Sequence, residues 1–244
     1  MNPLQRPPWI PSVGGASARP RFTWDEWRIE STYQPGDGAL QERMARLTFR
    51  ANMAMCTAIA EWIVWRFEAL SGDFRPLLML EAAWAAGVHT AYARYHEFDD
   101  DNWRGVVRGP MRMALGIVID LVWGMKTVEP GRNVAWASQL AELVIPDPSA
   151  FRAWRELCVS RLEARFPAND GEAVFEDEID IGAWVPREMF DPARSVEAGD
   201  VRPLIEQFVA TLDPGRNPYL HMPAEMMEFA DYSGAPYEIG ADDH

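Results

Sequence analysis

Residues 109–125 read GPMRMALGIVIDLVWGM, and the fold turns on how this stretch is read. Gly109 and Pro110 supply a helix start, because proline is tolerated in the first turn, where its missing N–H loses no partner. Behind them Met111, Met113, Leu115, Ile117, Val118, Ile119, Leu121, Val122 and Trp123 go round every face of a helix. A helix that is apolar on all sides has to be enclosed by other elements. Asp120 interrupts the stretch, and no apolar run in the chain reaches the ~18–20 residues of a membrane span. The stretch therefore predicts the central helix of a mainly α bundle, with residues 113–123 at its centre.

Outward from it lie segments apolar on one side only. Toward the C-terminus, Glu129-Pro130-Gly131 turns the chain and Asn133 is positioned to cap a helix carrying Trp136, Leu140, Leu143 and Val144. Asp147-Pro148 starts another, whose stripe Phe151, Trp154, Cys158, Leu162, Phe166 keeps 3–4 spacing, with Arg152, Arg155, Arg161 and Arg165 outside. Toward the N-terminus, Asp73 and Pro76 open a helix expected to run to Phe98. Before it, Asp37 caps a long stretch from Gly38 to Leu70 that Ser71-Gly72 closes. Residues 51–60 of that stretch carry no charge, so its second half must be largely buried. Thr23 and Glu26 have the spacing of a capping box, predicting a short helix over 24–29. The expected architecture is a bundle of five or six helices over 23–166, preceded by an arm (1–22) and followed by an acidic, partly irregular extension (167–244) packed on it. Prolines at 3, 7, 8, 11 and 20 keep the arm from propagating a helix. Its low hydrophobicity outside Trp9 and Ile10 predicts an arm mobile in isolation, ordering only when those two side chains find a groove.

Charge divides the chain unevenly. Of 244 residues, 23 are basic and 37 acidic, a net −14. Residues 1–160 hold 17 basic and 18 acidic side chains, whereas residues 161–244 hold 6 and 19. No basic residue occurs from Phe166 to Pro186, while Asp170, Glu172, Glu176, Asp177, Glu178 and Asp180 all do; Phe175, Asp177, Ile179 and Ile181 alternate there as in an extended segment. Asp200 is positioned to cap a further helix carrying Leu204, Ile205, Phe208, Val209 and Leu212, and a short helix is expected over 223–229. So acidic a chain lacks the basic face that direct nucleic-acid binding needs. With neither a signal-peptide core nor a span, a cytoplasmic address and no membrane partner are expected. Cys56 and Cys158, both in helical stretches, read as buried reduced thiols.

Signatures of known chemistries are missing. There is no GxGxxG, P-loop, GxSxG, HExxH, CxxC or EF-hand loop, and Lys126 is the chain's only lysine. No cofactor is implied. The candidate ligand or metal site is the stretch bearing Glu81, His89 and His96, read as one helix. The two histidines share a side but stand ~10 Å apart at ~1.5 Å rise per residue, too far for one metal without help from other helices. Asp120, set in the apolar helix, calls for a partner such as Arg66 or Arg112, or a face less buried than its neighbours suggest; a carboxyl with a raised pKa is the functional reading. Arg43, Arg46 and Arg50 share a face that either is solvated or grips an anion or the chain's own acidic third.

In size, acidity and helical character the chain resembles the immunity proteins, which neutralise a cognate toxin. That resemblance is of composition only, covers no motif and transfers no residue. It accords with what the charge asymmetry implies: a protein-binding inhibitor, immunity-type or adaptor protein, rather than an enzyme. Its acidic C-terminal third (Asp170 to Asp180 and the tail from Glu225) would dock on a basic protein partner, with Trp9 and Ile10 as apolar anchors. The alternatives are an enzyme with a helical active site near Glu81, His89, His96 or Asp120, and a structural subunit held by the arm.

Overall fold

A computed structural model describes residues 4–15, 19–29, 37–98, 101–124, 129–168, 180–230 and 232–240. Among them the chain is helical: α1 (Gly38–Met44), α2 (Phe49–Arg66), α3 (Glu68–Ser71), α4 (Arg75–Val88), α5 (Gly105–Trp123), α6 (Pro130–Val144), α7 (Ser149–Arg165), α8 (Ala198–Val209) and α9 (Pro223–Met226). Short 3₁₀ turns cover Thr90–Tyr92 and Arg187–Phe190. The helices are more numerous and shorter than the sequence periodicity suggests. No described helix is long and apolar enough to cross a membrane.

The central helix is α2, not α5. Every α2 residue except Arg50 is buried, and α2 packs against α4, α5, α6 and α7. Helix α5 is buried at Met111, Ala114, Leu115, Ile117–Ile119, Leu121 and Val122. Arg112 and Asp120, however, are exposed and Gly116 is half-buried between them. These three lie four residues apart, a narrow polar stripe that turns one edge of α5 to the surface. Alanines 51, 54, 58 and 60, all buried, let neighbouring helices approach α2 closely.

The helix expected over 38–70 breaks twice. Asp37 caps α1 as its position suggests, its Oδ1 accepting from Leu40 N at 3.1 Å. After Met44 the chain leaves the helix so that Leu47 can pair with Pro167. One buried side chain braces the break: Asn52 Nδ2 donates to Met44, Leu47 and Thr48 O at 2.9–3.2 Å. Helix α4 stops at Val88 instead of continuing to Phe98. Beyond it Ala93 bridges Leu220, Arg94 N donates to Tyr219 O, and His221 N donates to Tyr92 O. Long-range pairing thus replaces further helical bonds.

Several caps also differ. Asn133 lies inside α6, buried, with Nδ2 on Ile117 O. Asp200 is the third residue of α8 and completes a capping box with Glu197. Residues 24–28 form no helix, only a turn at 26–27. There Glu26 accepts from Gly105 N at the start of α5, and Trp24 lies against Gly109.

One cluster of buried apolar side chains runs from Leu4 to Met226. It includes Leu4 and Ile10, each 4% exposed, with Trp9 packed against it, so the arm's groove is on its own chain. It also includes Trp184, Phe190, Leu204, Ile205 and Leu220. Arg50, which sequence leaves between a solvated face and a grip, reaches Gly182 O and Val88 O and lies over Trp184. Arg43 of the same set binds Glu156 and Glu163 of α7.

Candidate functional site

Helix α2 carries one charged side chain between Ala51 and Trp65, namely Glu61. It is 2% exposed. An unpaired carboxylate at such depth would be strongly disfavoured. Arg187, from the 3₁₀ turn, answers it with a two-pronged bond: Nε to Oε1 at 2.7 Å and Nη2 to Oε2 at 2.6 Å. Trp84 Nε1 on α4 adds a third donor at 2.6 Å. Arg187 Nη2 also donates to Gln5 O. One buried ion pair therefore ties α2, α4, the 3₁₀ turn and the N-terminal arm.

Arg187 and Trp84 also line a cleft of about 430 Å³ between α4, the 185–188 segment and α8. Glu81 on α4, 6% exposed, lines the same cleft. Asn217 Nδ2 donates to Glu81 Oε2 at 2.8 Å, and the other oxygen has no hydrogen-bond partner among the described residues. Burial raises the Glu81 pKa above the ordinary carboxylate value; the nearby Asp213 charge raises it further, against the opposing pull of Asn217. Trp84, Leu204 and Phe208 give the cleft apolar walls, and Glu188 and Arg194 line it as well. A second cavity, of about 520 Å³, lies between the end of α7 and the start of α8. Its charged rim is internally matched: Arg165 pairs with Glu197 and Arg202 with Glu206.

The residues singled out in sequence do not converge. His89 is not within a helix but caps the end of α4, its Nδ1 accepting from Ala91 N, and its ring meets Tyr92 and Tyr232. His96 lies in the following extended segment, its ring against Phe98 and Tyr219. Only Glu81 of the trio faces the cleft. Asp120 is exposed and paired with neither Arg66 nor Arg112; desolvation and then the Glu97 charge raise its pKa. Arg66 instead gives its Nε to Val144 O. Among the described residues no three His, Cys, Asp or Glu side chains are grouped to hold a metal. Asp170, Glu172, Glu176, Asp177 and Glu178 lie outside the described residues; Asp180 lies within them, its carbonyl accepting from Phe49 N at the start of α2.

Glu61 and Arg187 escape a motif search. Their signal is the isolation of Glu61 in an otherwise apolar helix, which demands a cation from elsewhere. The fold and cleft thus define a mainly helical protein with a half-polar pocket on one flank. No protein-family model matches the chain, and no curated protein or solved structure is significantly similar to it.

Proposed function

We propose that this is a binding protein, of inhibitor, immunity or adaptor type, whose acidic C-terminal third docks on a basic protein partner. One observation carries the reading: five of the six arginines of that third are already engaged inside the chain. Arg165, Arg187, Arg202 and Arg216 each bind a carboxylate of the same molecule, and Arg161 is held by the carbonyls of Met189, Asp191 and Pro192. From the first 160 residues, Arg43 and Arg94 reach across to Glu163 and Glu225. These contacts cannot offset 19 acidic against 6 basic residues, and the first 160 contribute almost no net charge. The excess stands as a negative field, which steers association with a basic surface and disfavours acidic ones.

The test is a fourfold charge reversal, Glu176→Lys, Asp177→Lys, Glu178→Lys and Asp180→Lys, in the full chain. Cross-linking in the producing cells should capture a basic protein with the unaltered chain and lose it with the variant. With that protein purified, the association rate should fall steeply as salt is raised. A partner bound by both chains with the same rate and salt dependence refutes the acidic segment as the docking surface.

A further inference from the structure

We propose that the cleft between α4 and α8 is a binding site for a small organic cation, an ammonium head on an aliphatic stem, with Glu81 as the anionic group that receives the head. The site has three parts. The first is an acceptor: Glu81 is more than nine-tenths buried, lines the cleft, and has one oxygen without a hydrogen-bond partner among the described residues. An ionised carboxylate offers about four acceptor positions. Asn217 fills one of these with its amide, and an ammonium would add short charge-assisted bonds at others.

The second part is the sign of the surroundings. Of the two arginines on the cleft, Arg187 is neutralised by Glu61 at 2.6 Å, and Arg194 is exposed, where solvent screens it. Glu188 lines the same space. The enclosed field is therefore negative and favours a cation over an anion. The third part is the wall. Trp84, Leu204 and Phe208 provide apolar and aromatic surface for a stem, and about 430 Å³ is within the range of small-molecule pockets.

This inference is independent of the proposed docking surface, since none of these residues belongs to the 170–180 segment. The probes are three molecules with one stem and different heads: n-hexylamine, n-hexanol and n-hexanoate, titrated into the full-length protein at neutral pH by calorimetry and by ligand-observed NMR. Hexylamine should bind at least tenfold more tightly than the other two. Glu81→Gln, which keeps an acceptor for Asn217, should reduce hexylamine to the affinity of hexanol while leaving hexanol unchanged. Thr211→Trp, at an exposed position on the rim, should weaken all three by occluding the entrance. The proposal is overturned if none of the three binds, if hexanoate binds best, or if the preference for the amine survives in Glu81→Gln.

Discussion

Replacing Arg187 with methionine isolates one of the two most buried charges in the described structure, Glu61. Glu61 is 2% exposed and receives three short bonds, two from Arg187 and one from Trp84 Nε1. Methionine fills much of the aliphatic stem but leaves the carboxylate with the indole N–H alone. Removing one partner of a buried pair costs about 3–5 kcal/mol, because the other charge is left without compensation. Arg187 is 24% exposed, so the deficit falls mainly on the Glu61 side. At ~2–4 °C per kcal/mol for a chain this size, the melting temperature should fall by roughly 6–20 °C.

The double variant Glu61→Gln, Arg187→Met should recover about half of that loss, since the glutamine carbonyl still accepts from Trp84 and no charge is buried. A residual cost of about 1–3 kcal/mol remains for its unsatisfied amide. Urea unfolding followed by tryptophan fluorescence and by far-UV dichroism reads both numbers, and coincident curves are required for a two-state value. Limited proteolysis adds a second readout, because loss of the Gln5 contact should expose the arm to cleavage. A cost under about 1 kcal/mol for Arg187→Met, or a double variant no more stable than the single, would show that the pair does not hold the fold as its geometry implies.

Deleting residues 1–15 should destabilise the protein substantially, by about 2–5 kcal/mol for each of the buried Leu4 and Ile10 taken separately. An arm mobile in isolation, as the sequence alone suggests, would leave the melting temperature within a few degrees, so that temperature discriminates directly. Gly131→Ala and Gly116→Ala gain the same helix propensity but should diverge. A β-carbon at 131 would stand 2.5 Å from Gln41 O and force α1 from α6, costing about 1–3 kcal/mol, whereas 116 faces open space and should gain about 0.5–1 kcal/mol. Both thiols should resist a water-soluble disulfide reagent in the native protein and react on unfolding. Burial raises the pKa of Cys56 and takes that of Cys158 to about 12, so neither forms thiolate at neutral pH. For Glu81 the folded pKa lies above the unfolded one, so the folded state binds more protons between the two. Stability contributed by this site therefore rises as pH falls through the folded pKa toward 4.5, and parallel urea titrations of Glu81→Gln should lose that component.

Burial and periodicity were legible where one face of a helix meets the core. The stripe Phe151, Trp154, Cys158, Leu162 is buried as spaced, and the uncharged run 51–60 lies in the interior. What failed to show was the interruption of helices by pairing with distant chain: Pro167 against Leu47, and Leu220 against Ala93, have no local signature. Those breaks are also why His89 and His96 do not share a helix. The choice between α2 and α5 as the central element turned on a finer pattern. Each holds a lone acid in an apolar run, and the two acids have opposite fates. Asp120 has Gly116 and Arg112 at four-residue steps before it, so the line through it is polar or empty and can face outward. Glu61 has Met53, Thr57 and Trp65 on its line, all buried, with the Thr57 hydroxyl bonded inside the helix to Met53 O. An acid on an otherwise buried line cannot turn outward without exposing its neighbours. It must be met where it stands, and the arginine that meets it comes from 126 residues away, on a turn that also builds the cleft wall. The same requirement that fixes the fold at Glu61 thus places Arg187 beside Glu81's cleft with its charge already neutralised, and leaves Glu81 to set the sign of that cleft.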